Sequence, residues 1–111
     1  MIIKTSKVWR VEFEINPTAT EAADWASIIR LTIGGNEEAY GDRTPVVFFH
    51  PGTTKLWFGS AIDGQASFEI TTDNVAPLNQ WTRISISQSK IASVYVVTIE
   101  IDGQQITAIT N

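Results

Sequence analysis

The chain contains no cysteine and a single histidine, His50. The first absence removes disulfides, thiol nucleophiles and thiolate metal sites together. The second, with no thiol to accompany it, points away from a catalytic triad and from a transition-metal centre. Positive charge is also scarce: 8 Lys and Arg stand against 12 Asp and Glu, a net charge of -4. That gives no electrostatic basis for a nucleic-acid groove or an anionic membrane surface. No run approaches the roughly 20 apolar residues of a membrane span. Met1-Ile2-Ile3-Lys4 lacks the apolar segment and cleavage site of a secretory signal. No Asn-X-Ser/Thr acceptor is present, since Asn16 is followed by Pro17.

What is present is globular. With 111 residues, 43% of them hydrophobic and 18% charged, the chain is sized for one domain, residues 1–111, with one core. The stretch from Gly34 to Ser60 organises the reading. It opens as an acidic loop with Gly34-Gly35-Asn36-Glu37-Glu38 and Tyr40-Gly41-Asp42-Arg43. It then turns apolar in Val46-Val47-Phe48-Phe49, a run suited to a strand buried on both faces. In His50-Pro51-Gly52-Thr53, Pro51 presets φ and Gly52 supplies positive φ, which predicts a type II turn. Lys55-Leu56-Trp57-Phe58 is the partner strand.

Alternation recurs on both sides of this hairpin. From Val8 to Ile15, Trp9, Val11, Phe13 and Ile15 share one face, and Val8, Arg10, Glu12 and Glu14 share the other. Thr18 to Trp25 is read as a loop or a single helical turn, and Ile28 to Ile33 as a strand stopped by Gly34-Gly35. Asp63-Gly64 predicts a turn, Ser67 to Thr71 a strand, and Thr72-Asp73-Asn74 its end. Trp81 to Gln88 alternates again, as does Ser93 to Ile101, with Tyr95, Val97, Ile99 and Ile101 on one face. Asp102-Gly103 is a hairpin signal with Gln104 to Thr110 returning. Short strands at this spacing without a convincing helix predict an all-β antiparallel β-sandwich or jelly roll.

The strand VEFEINPT, the run YGDRTPVVFFHPGTTKLWF, the segment PLNQWTRISISQS and the hairpin YVVTIEIDG resemble laminin-G-like modules. These belong to the concanavalin A-like jelly-roll superfamily, and the resemblance is strongest to a group in secreted and cell-surface proteins of invertebrates. It covers most of the chain. It implies a concanavalin A-like jelly roll, an extracellular or cell-surface location, and recognition of glycans or of an extracellular protein ligand. It also implies a calcium site at a loop rim. Two departures stand out. Related modules carry cysteines near the Gly-Gly-Asn loop and after the Pro-Gly turn, where this chain has Glu37-Glu38 and Trp57-Phe58-Gly59. They also continue with strands that close the sandwich, whereas this chain stops at Asn111. The expectations that follow are an open sheet edge covered by another chain, with a homo-oligomer favoured, or else a trimmed sandwich, a fragment or an engineered version.

Several residues are candidates for chemistry. Glu100-Ile101-Asp102 resembles the carboxylate strand motif of jelly-roll glucanases, which would make the chain a glycan hydrolase. The second Glu of that motif is replaced by Gln105, which cannot exchange the proton the step needs. Asp102 is explained by its turn. Glu38 and Asp42 are the oxygen ligands expected for calcium, with Asn36, Glu37, Asp63 or Asp73 nearby in the loops. An acidic loop held in solvent, with Asp42 paired to Arg43, is the simpler reading. Among the aromatics, Trp25 and Tyr40 lie in loops and are the candidates for stacking a sugar ring. Trp9, Trp57 and Trp81 occupy strand positions and are expected in the core. His50 is expected to close its turn or to pack on Trp57. Arg30 and Arg83 read as outer-face positions. The functional expectation is a non-catalytic recognition module, binding glycan through the rim of residues 34–43. Trp25, Asn36, Tyr40, Asp42, Arg43, His50 and Asp63 are the ligand-binding set. Pairing through an open edge, as a structural or adhesion module, is the second class.

Overall fold

The computed structural model describes residues 8–19, 25–31, 45–62 and 65–111. The chain is all-β and antiparallel, and its two four-stranded sheets are the layers of which a β-sandwich is made. The strands are β1 (Trp9–Ile15), β2 (Ala26–Arg30), β3 (Val46–Phe49), β4 (Lys55–Ile62), β5 (Gln65–Val75), β6 (Thr82–Ile91), β7 (Val94–Ile101) and β8 (Gln104–Thr110). One sheet has the order β1-β6-β7-β8 and the other the order β2-β3-β4-β5. They fall in two compact units: Met1–Ile15 with Trp81–Asn111, and Asn16–Gln80.

The first unit is a meander, β6-β7-β8, with β1 added beside β6. Its register pairs Val11 with Ile86 and Phe13 with Ile84, then Ile86 with Ile99 and Ile84 with Ile101. Since side chains alternate across a strand, these pairs stack into one apolar face. Ile84, Ile86, Val97 and Ile99 are buried there. The opposite face carries Arg10, Glu12, Glu14 and Arg83, all exposed.

Two tight hairpins hold the meander. At Asp102-Gly103 both central residues have positive φ, 52° and 80°, the geometry of a type I′ turn, which matches the right-handed strand twist. Ala92-Ser93 adopts the same geometry, with φ of 48° and 73°, although neither residue favours it.

The second unit is a simple meander. The type II turn forms as the sequence predicts: Thr53 N–H donates to His50 O at 3.1 Å, and Gly52 has φ 69°. β4 is covered on both faces, with Leu56, Trp57, Phe58, Ser60 and Ile62 all buried. Gly59 lies beneath the Trp57 ring, where a Cβ would come within 2.9 Å of both that ring and Val46. Just before β4, Thr54 Oγ1 donates to Ala76 O at 2.5 Å, and Ala76 N–H donates to Thr54 O at 2.9 Å.

Three expectations need correction. Strand β2 is Ala26–Arg30 rather than Ile28 to Ile33, because its partner β3 fixes it: Ala26 pairs with Phe49 and Arg30 with Val46. Thr72-Asp73-Asn74 does not end β5, which runs on to Val75 opposite Lys55; pairing outweighs weak local strand preference. Trp81 is not in the core, and it leads to the site. The loop of residues 32–44 and the Asp63-Gly64 turn lie outside the described residues, as do residues 20–24.

Candidate functional site

Trp81 is 67% exposed. Alternation explains why: Thr82, Ile84, Ile86 and Gln88 of β6 are buried on one face, so odd-numbered positions project to the other, where Ser85 is covered as well but Arg83 is exposed. Trp81 extends that odd row, Trp81-Arg83-Ser85-Ser87, by one residue beyond the start of the strand. The approach is fixed by Asn79, which adopts φ 59° and donates its backbone N–H to Pro17 O at 2.7 Å. Asparagine tolerates this left-handed backbone better than most residues, which accounts for an Asn two positions before the tryptophan.

A shallow open hollow of about 350 Å³ forms beside the indole, lined by Glu14, Trp81, Arg83, Asp102 and Gly103. All five belong to the first unit. Register brings the parts together: Glu14 is the cross-strand partner of Arg83, and the Asp102-Gly103 turn follows Ile101, two positions from Ile99 opposite Ile86. Asp102 locks that end of the sheet. Its Oδ1 accepts the Arg83 backbone N–H at 2.8 Å, and its own N–H donates to Arg83 O at 2.8 Å.

The Arg83 guanidinium is held by two carboxylates. Its Nη2 donates to Glu14 Oε1 at 3.2 Å, and its Nη1 stands 3.4 Å from Glu12 Oε1. Glu12 is also engaged by Arg10, with Nη2 to Oε2 at 3.0 Å. The register also sets Glu100 opposite Ser85, which is itself opposite Glu12. Among the described residues, four carboxylates (Glu12, Glu14, Glu100, Asp102) therefore accompany two guanidiniums (Arg10, Arg83), a formal excess of two negative charges among them on this side of the sheet.

The expected ligand-binding set divides. Asn36, Glu38, Tyr40, Asp42, Arg43 and Asp63 lie outside the described residues. Trp25 and His50 are described and meet each other, with ring centroids 4.7 Å apart. Trp25 is 47% exposed and also contacts Phe48 and the buried Trp57, at centroid separations of 6.3 and 5.9 Å. His50 thus closes its turn through the backbone and sets its ring on Trp25, which relays the packing to Trp57. Its Nε2 is buried without a hydrogen-bond partner. Trp25 is an indole already engaged by aromatic neighbours, whereas Trp81 stands among polar groups. Among the described residues, no cluster of three or more His, Asp or Glu could hold a metal ion, and no helix is long and apolar enough to cross a membrane.

No family model matches the chain, and no curated protein or solved structure matches it.

Proposed function

We propose that this chain is a non-catalytic recognition module that binds carbohydrate, a laminin-G-like domain of concanavalin A-like jelly-roll type working outside the cell or at its surface. The observation that carries the reading is Trp81, an indole 67% exposed at the edge of a hollow furnished with a guanidinium and carboxylates. An aromatic face offers the C–H side of a pyranose ring a flat apolar platform, and a few convergent polar groups fix its orientation. Exposing a tryptophan this far forgoes burial that folding would otherwise use. A ligand that covers the ring recovers it. The rim of residues 34–43 remains a candidate second contact surface in this reading, with calcium at Glu38 and Asp42 as its cation. Isothermal titration with a panel of soluble oligosaccharides, with calcium and with a chelator, tests it. Binding that weakens at least tenfold in Trp81→Ala is the expected result, and no heat or tryptophan quenching with any sugar counts decisively against it.

A second reading rests on β8. Gln104–Thr110 is an edge strand with no charged residue and no proline, the features that usually discourage edge pairing. A structural or adhesion module would pair that edge with a second copy or a partner strand. Light scattering at micromolar concentration decides it, a monomeric mass removing self-pairing.

A further inference from the structure

Resting on the carbohydrate reading, we infer that the Trp81 hollow takes neutral pyranosides and turns away anionic ones. An acidic sugar is ordinarily held by an arginine whose guanidinium fork is open to receive its carboxylate or sulfate. Arg83 lines the hollow, but its Nη2 already donates to Glu14 and its Nη1 faces Glu12. An incoming anion would have to share the guanidinium with these carboxylates and lie near Glu14 and Asp102, both of which line the same hollow. The local balance is negative, so the field opposes the approach.

A neutral sugar meets the opposite situation. Each hydroxyl donates one hydrogen bond and accepts others, so a vicinal pair matches a carboxylate and a guanidinium set side by side. Glu14 and Arg83 are such a pair: cross-strand partners, 3.2 Å apart at Oε1 and Nη2. Their mutual contact holds both side chains in place before any ligand arrives, which limits the ordering that binding requires. Trp81 supplies the stacking surface on the same row of β6. Selectivity therefore resides in Glu12 and Glu14, which occupy the arginine rather than touch an acidic ligand.

The test is titration calorimetry of the full chain with neutral hexasaccharides (cello-, laminari- and manno-hexaose) and anionic ones (hexagalacturonate and a heparin hexasaccharide). Wild type, Trp81→Ala, Trp81→Phe, Trp25→Ala and the double variant Glu12→Gln/Glu14→Gln are compared, each checked for an unchanged melting profile. The inference expects a neutral sugar to bind at least tenfold more tightly than any anionic one. Trp81→Ala should lose that binding and Trp81→Phe should retain part of it. The double variant, which releases Arg83, should bind the anionic sugars at least tenfold more tightly than wild type does. Tight anionic binding that depends on Trp81 overturns the inference while leaving carbohydrate recognition standing. Unchanged anionic binding in the double variant also overturns it. Binding that survives Trp81→Ala and disappears in Trp25→Ala moves the site and overturns it as well. Absence of binding by every sugar overturns the carbohydrate reading itself, and the inference falls with it.

Discussion

The Ala92-Ser93 hairpin should be replaceable by Asn-Gly with a gain in stability. Both residues hold positive φ, 48° and 73°, in the turn that joins β6 to β7, directly after the Ile91–Val94 pair. For an L-residue with a Cβ this backbone costs roughly 1–2 kcal/mol per position, because Cβ crowds the following carbonyl oxygen. Asparagine relieves part of that strain and glycine nearly all of it. Glycine also gives the unfolded chain more freedom, which returns about 0.5–1 kcal/mol. The net expectation is a stabilisation of about 1 kcal/mol. Both side chains are exposed, so no packing contact confounds the result. For a chain of this length, 1 kcal/mol corresponds to a rise of about 4 °C in Tm. Thermal and urea unfolding followed by circular dichroism measure it, with an unchanged urea m-value showing that native compactness is the same. A Tm unchanged or lowered in Ala92→Asn/Ser93→Gly would refute the argument, since it would mean that the turn is not of the left-handed type in solution.

Gly59→Ala should destabilise by about 1–3 kcal/mol, because its Cβ would press to 2.9 Å on the buried Trp57 ring and on Val46, and overpacking a filled interior has that cost; chemical denaturation checks it. Asp102→Ala removes the acceptor of the Arg83 N–H and should lose about 1 kcal/mol, with amide exchange at Arg83 accelerating in parallel. Arg83→Ala should change stability by less than about 1 kcal/mol, since both of its ion pairs lie at an exposed surface. A larger loss in that variant would show that the ion pairs carry structure as well as charge.

Much of the fold was readable because polarity alternates along the strands. In Trp9–Ile15 the apolar residues fall on odd positions and are the less exposed ones, and in β7 Val97 and Ile99 are buried as their face demands. Asp102-Gly103 was legible because aspartate and glycine tolerate the backbone that the turn requires. Ala92-Ser93 was not, since neither side chain advertises positive φ; the pairing of Ile91 with Val94 imposes it. Nor does the local composition of Thr72-Asp73-Asn74 foretell a strand, which β4 creates by offering backbone partners. The site was harder. The general habit of tryptophan puts Trp81 in the core, yet its own strand carries the opposite signal. If Ile84 and Ile86 face inward, a residue at odd spacing from them faces outward, and Arg83, Ser85 and Ser87 already said so.

That same row limits what the indole can do alone. Burying a large apolar side chain completely is worth about 1.5–3 kcal/mol, and with two-thirds of Trp81 exposed, covering the remainder offers about 1–2 kcal/mol. A millimolar complex requires about 4 kcal/mol. Stacking therefore supplies at most about half of even a weak interaction, and directed hydrogen bonds must supply the rest. In the proposed site Glu14 and Arg83, which line the same hollow, would supply them, held by each other and by the turn at Asp102. A tryptophan exposed on a featureless strand end would adhere to many things weakly. Set against a fixed donor–acceptor pair, it can choose.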